Sequence, residues 1–178
     1  MPERESTFIL GSSMGALISL YAISEYPDVF GGAVCMSTHW VGKKENDYER
    51  PRALAMYLDE KLPATETHKL YFDYGTKTLD SLYQVHQMMI DTLVQFKGYT
   101  EEHWMTKKFV GAAHDERAWR SRLHIPIERY GRRFRCFYER PSRICRTPNK
   151  KTYYVLIPRC IQCGVSNGCR NWNDFCLT

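Results

Sequence analysis

Long hydrophobic runs are missing from this sequence of 178 residues: nowhere does it hold the roughly 18 consecutive uncharged apolar residues of a membrane-spanning helix. No membrane partner is expected. Phe8 to Ile23 carries no charge, yet the preceding Glu3-Arg4-Glu5 lacks the basic character of a secretion signal, and glycines and serines interrupt the run in a meaningful order. Without a leader, cytoplasmic residence is the default expectation, with secretion open should other residues precede Met1 in the native chain. Cysteine is almost absent from residues 1–130, where Cys35 stands alone, and that excludes a disulfide framework there. Metal-ligand spacing is lacking as well. His68, His103 and His124 show no such relation to one another, and His86 falls on the apolar stripe of an expected helix, where a core or half-buried role is commoner than ligation. No metal or other cofactor is expected.

What the sequence does contain divides near Tyr130. Residues 1–130 are close to charge balance, whereas residues 131–178 carry ten Lys/Arg against two acidic residues and hold Cys136, Cys145, Cys160, Cys163, Cys169 and Cys176. With 43% hydrophobic residues overall, the first part is long enough to bury one core. The tail has Cys160-x-x-Cys163, half of a zinc-knuckle spacing, with Cys169 and Cys176 as further candidate ligands, and its aromatic residues lie among basic ones as in a nucleic-acid-binding segment. Against both readings, it has no histidine, its other cysteine spacings are irregular, and only Tyr153 to Ile157 is strand-like. An irregular, non-native extension, such as readthrough in a shifted frame, is the expectation for residues 131–178, without a nucleic-acid partner.

The first part is organised around Gly11-Ser12-Ser13-Met14-Gly15, which follows the short apolar run Phe8-Ile9-Leu10 and leads into apolar residues at helical spacing. A G-x-S-x-G between strand and helix has the form of a nucleophile elbow. Its turn is so sharp that the central residue is strained and side chains at the flanking positions would meet backbone, so Gly11 and Gly15 answer a steric need and Ser13 is the candidate nucleophile. Met14 opens the helix, which places its backbone N–H where an oxyanion would form. Downstream, Gly31 to Ser37 reads as a buried strand ending in Thr38-His39-Trp40, with residues 38–51 as a lid or substrate loop. Ala53 to Leu62 reads as a helix closed by Pro63, Lys69 to Asp73 as a strand, and Leu79 to Lys97 as a helix with an apolar stripe of Leu82, Met89, Leu93 and Phe96. His103 to Val110 reads as the last strand, followed by Gly111-Ala112-Ala113-His114 and a helix from Asp115. This βαβαβαβα order predicts a parallel sheet of about four strands with helices on both faces, and functional loops beyond the carboxyl ends of its strands. Those loops carry Ser13, His39 with Trp40, Asp80 and His114 in turn. The order Ser, Asp, His is that of α/β-hydrolases.

Four motifs in order, Ile9 to Gly15, Cys35 to Trp40, Phe72 to Thr76 with Leu79-Asp80, and Gly111 to His114 with Glu116 to Trp119, resemble the Putative esterase family, which includes esterase D, enterochelin esterase-like proteins and some feruloyl and acetylxylan esterases. The resemblance covers residues 1 to about 130 and implies a partial α/β-hydrolase fold. It assigns Ser13 as nucleophile, His114 as general base and Asp80 as the acid that orients it, with Asp73 as second choice. A carboxylate is needed there to hold the imidazole in the tautomer whose other nitrogen faces the serine, though Asp80 would also suit a helix N-terminus for structural reasons alone. His39 and Trp40 are candidate substrate-binding residues, an indole at a strand end being able to stack on a sugar or aromatic acyl group; loop packing is the alternative.

Two departures from the family accompany these matches. Ala16 stands where relatives usually continue with glycine. The strands that precede the elbow in relatives, including the loop carrying the other oxyanion-hole N–H, have no counterpart, and losing one such donor costs about 100- to 1,000-fold in rate. Thr7 to Leu10 is then expected to be an exposed sheet edge, with self-association through it. The expected function is hydrolysis of a small-molecule or carbohydrate-linked carboxylic ester through an acyl-enzyme. Acyl transfer to another alcohol by the same residues, and a catalytically silent binding or assembly piece, are the alternatives.

Overall fold

In the computed structural model, which describes residues 3–41, 48–130 and the backbone of 153–157, β1 (Thr7–Ser12), β2 (Gly32–Met36), β3 (Lys69–Gly75) and β4 (Trp104–Phe109) lie parallel and side by side in chain order. The connections run through α1 (Met14–Glu25), α2 (Glu49–Lys61) and α3 (Tyr83–Phe96), and the chain continues beyond β4 into α4 (Glu116–Arg122) and α5 (His124–Tyr130). Side chains alternate along a strand, so each strand serves two cores. Ile9, Ala33, Cys35, Leu70 and Phe72 face a cluster with Leu20 and Ile23 of α1, Leu58 of α2 and Ile90 and Val94 of α3. Phe8, Leu10, Val34, Met36 and Tyr71 face the opposite side, against Trp119 of α4 and Tyr130 of α5. All three crossovers thus share one face, as they must when strands are added in one direction with constant handedness. Completely buried side chains such as Leu20, Leu58 and Ile90 each contribute about 1.5–3 kcal/mol of apolar burial.

The four-stranded α/β expectation holds, and several local details differ from it. α2 starts at Glu49, ahead of the expected Ala53, because Pro51 lies in its first turn, where a backbone N–H has no helical acceptor to lose. The segment before α3 is a 3-10 turn over Thr78–Leu82. On α3 the buried face is Tyr83, His86, Gln87, Ile90 and Val94, while Phe96 of the expected stripe is 86% exposed. The stripe misled because polar groups occupy the inner face: Gln87 Oε1 accepts the Trp40 indole N–H at 3.0 Å and its Nε2 donates to Asp91 at 2.8 Å, so burial leaves it satisfied.

The expected open edge at Thr7 to Leu10 is corrected as well. β5 (Tyr153–Ile157) runs parallel to β1 with Thr7 opposite Tyr153 and Gly11 opposite Ile157, giving the sheet order β4-β3-β2-β1-β5. The strand-like residues of the basic tail occupy the hydrogen-bonding groups that would otherwise have been exposed, and self-association through that edge loses its premise. The other tail residues, including its six cysteines, and residues 42–47 of the expected lid loop lie outside the described residues.

Candidate active site

The turn between β1 and α1 is built by close approach of two glycines. A Cβ on Gly11 would lie 2.3 Å from the backbone C and O of Gly15, so only a residue without one lets the helix start so near the strand. Ser13, between them, has φ 55 and ψ −120, an unfavourable conformation for a residue with a side chain. Its own N–H donates to Met36 O of β2 at 2.9 Å and its carbonyl accepts from His39 N–H at 3.3 Å, contacts that hold the strained backbone in place. Met14 follows as the first residue of α1. Its N–H is among those a helix leaves without an internal partner, at the positive end of the helix.

The loops after β3 and β4 bring the other two groups to Ser13. His114 Nε2 lies 2.9 Å from Ser13 Oγ, and His114 Nδ1 lies 2.6 Å from Asp80 Oδ1. A carboxylate only accepts, so Nδ1–H donates to Asp80 and Nε2 is left to accept the Ser13 hydroxyl proton. All three side chains are shielded, with Ser13 at 4% and Asp80 at 0% exposure. The two loops are tied together. Ala112 O accepts from the Thr76 and Lys77 N–H groups, Thr76 Oγ1 from Gly111 N–H and Thr78 Oγ1 from His114 N–H, the last at 2.7 Å. Rings also box the imidazole in, Tyr83 and Trp119 meeting it edge-on with centroids 5.6 Å and 5.0 Å away.

Asp80 is the carboxylate that meets His114; the second choice, Asp73, faces elsewhere. Burial pushes the Asp80 carboxyl up, but hydrogen bonds from His114, from the Ser37 hydroxyl and from Gly75 N–H outweigh it and leave its pKa below the ordinary value. Asp73, within β3, accepts from Arg122 Nε at 3.1 Å, from Ser37 N–H at 3.2 Å and from the Tyr71 hydroxyl at 3.2 Å. Its burial dominates over the help from Arg122, and its pKa is raised to about 6.

Of the two expected substrate residues, His39 lies beside the site, with its ring centroid 6.5 Å from that of His114 and Nδ1 3.0 Å from the Tyr83 hydroxyl. Trp40 does not line it. It is 2% exposed, packs at 6.1 Å from the Phe72 ring and is held by Gln87, so loop packing is the correct reading. His68 is likewise structural, its Nε2 meeting Pro27 O at 2.9 Å and its Nδ1 Ala64 O at 3.1 Å. No cluster of metal-ligating residues occurs among the described residues.

Sequence reasoning passed over Ser37, Thr78 and Arg122. Ser37 Oγ donates to Asp80 Oδ2 at 2.6 Å and accepts from Arg122 at 2.7 Å. A signal for Arg122 existed: it follows Trp119 and precedes Leu123, so it falls at helical spacing on the face of α4 that packs on the sheet. A charge on such a face needs a partner.

A family model described as Putative esterase matches residues 1–127 of the chain. No curated protein sequence matches it. Among solved structures it is similar to the enterobactin esterase FES from Shigella flexneri, with 19% identity, a TM-score of 0.53 and coverage of 70% of this chain and 30% of that one. It is also similar to the S-formylglutathione hydrolase FrmB from Staphylococcus aureus, with 20% identity, a TM-score of 0.53 and coverage of 73% and 53%. For the fluorophosphonate-binding serine hydrolase F of Staphylococcus aureus, in a substrate-bound structure, identity is 15%, the TM-score 0.54 and coverage 73% and 56%. At these identities the likeness is one of fold, and the chain spans between about a third and about half of the length of these neighbours.

Proposed function

The chain belongs to the Putative esterase family, and from that premise we propose that it is a serine carboxylic-ester hydrolase acting on a small-molecule or carbohydrate-linked ester. Ser13 Oγ attacks the ester carbonyl carbon while His114 Nε2 takes its proton, and the oxyanion forms against the Met14 N–H. Collapse expels the alcohol, which leaves with the proton from His114, and the acyl group stays on Ser13. His114 then deprotonates water, which releases the acid by the same steps in reverse order. Asp80 holds the imidazole through Nδ1 and stabilises its charged form without accepting the proton itself. His39, at the rim, contacts the substrate.

The observation that carries this reading is the single line of hydrogen-bonding atoms from Ser13 Oγ through His114 to Asp80, at 2.9 Å and 2.6 Å. Such contacts are within the reach that proton transfer requires. A fluorophosphonate probe, which bonds covalently to an activated serine, tests it. The full chain is expected to be labelled once, at Ser13, and to hydrolyse p-nitrophenyl acetate, with both properties lost in Ser13→Ala. A folded wild-type sample that takes no label overturns the reading.

A further inference from the structure

Three non-glycine residues have positive φ among the described residues, and all three belong to one constellation: Ser13 (φ 55), Ser37 (φ 45) and Thr78 (φ 55). Backbone strain of this kind persists only where surrounding contacts over-determine it. For Ser37 those contacts lie behind Asp80. Asp80 Oδ1 faces His114, whereas Oδ2 receives the Ser37 hydroxyl at 2.6 Å and Gly75 N–H at 2.5 Å. The Ser37 hydroxyl is itself directed by Arg122, whose Nη2 donates to Ser37 Oγ at 2.7 Å and stands 3.8 Å from Asp80 Oδ2. Arg122 is 2% exposed, anchored on Asp73 Oδ1 at 2.9 Å and lies with its guanidinium carbon 5.1 Å from the centre of the Phe109 ring. An ion pair serving stability alone would end at Asp73 and Arg122. This one continues through a hydroxyl to the carboxylate that holds the imidazole.

We infer that Ser37 and Arg122 are positioning residues for Asp80. The guanidinium, fixed by Asp73, leaves the Ser37 hydroxyl one orientation in which to donate, toward Oδ2. That bond and the Gly75 N–H together prevent rotation of the carboxylate and present Oδ1 to His114 Nδ1–H. The inference rests on the esterase reading for its effect on turnover, and on geometry alone for its effect on the imidazole.

Ser37→Ala, Arg122→Met and Arg122→Lys in the full chain test it, with p-nitrophenyl acetate kinetics and the NMR resonance of the His114 Nδ1 proton, which a short bond to a carboxylate moves strongly downfield. Loss of a hydrogen bond to a charged group predicts a fall in kcat of about ten- to a hundredfold in Ser37→Ala and Arg122→Met, with KM within about twofold of wild type. The proton resonance is expected to move upfield or vanish in both, and Arg122→Lys to recover part of each effect. Ser37→Ala keeps the Arg122–Asp73 pair, so it decides the matter if Arg122→Met fails to fold. Unchanged kcat and an unchanged resonance in Ser37→Ala overturn this inference and leave the esterase reading standing. A wild type without turnover overturns the esterase reading, and the resonance still decides whether Ser37 positions Asp80.

Discussion

At the scale of single residues, the two carboxylates of this site show how environment assigns different work to one side-chain type. Asp80 is completely buried yet keeps its charge, because three donors converge on it. Asp80→Asn keeps the shape and offers His114 an amide, which favours the wrong imidazole tautomer; kcat for p-nitrophenyl acetate is expected to fall by about 10,000-fold with little change in KM. Asp73 carries the opposite balance, since burial raises its pKa from the ordinary 3.8 to about 6. The folded chain therefore binds that proton more tightly than the unfolded chain. The associated stability is fully present below about pH 4 and is lost as pH rises through about 6, by up to about 3 kcal/mol. Asp80 behaves in reverse, contributing at neutral pH and losing its contribution only as pH falls below the ordinary carboxylate range. Urea unfolding of Asp73→Asn and wild type at a series of pH values is thus expected to show wild type relatively most stable near pH 4, with the difference shrinking toward pH 7. Trp40 makes a third case. Buried against Phe72 and held by Gln87, it is expected on truncation to alanine to cost about 3–5 kcal/mol in a urea titration and to leave KM unchanged.

Among elements, the elbow is the junction with least tolerance. In Gly11→Ala the new methyl would meet the Gly15 backbone at 2.3 Å, and neither β1 nor α1 can withdraw without breaking its own pairing. Overpacking of this kind costs about 1–3 kcal/mol or more, and a lowered thermal midpoint together with loss of fluorophosphonate labelling is the expected outcome. The elbow was legible in the sequence because Gly11 serves a steric need set within the turn itself, before any distant contact. Asp80 and His114 were legible for a related reason: each follows a strand, and a parallel sheet gathers the loops at one rim. Arg122 gave only the weak signal of its spacing from Trp119, because charge on a short helix ordinarily reads as solvent-facing until the depth of that helix on the sheet is known. Ser37 gave no signal, its importance lying in a backbone turn that no composition announces. The α3 face was misjudged since His86 and Gln87, polar in sequence, are inside, and Trp40 because the path of its loop decides whether an indole faces the core or a substrate.

For the molecule as a whole, the strand that carries the elbow, β1, is paired on both sides, by β2 and by β5 from the basic tail. Removing residues 131–178 would leave the backbone groups of Thr7 to Gly11 without strand partners on one side, and the shortened chain is expected to sediment faster as its concentration rises while the full chain does not. Chain order has one more consequence. Ser13 and the imidazole that contacts it are 101 residues apart, so a ribosome delivers the strained elbow long before it delivers its base. Translation proceeds at about 5–20 residues per second, and throughout that interval the nascent hydroxyl lacks the imidazole that meets it in the folded chain. Under the hydrolase reading proposed above, reactivity would arrive only once His114 has been made and has folded against Ser13.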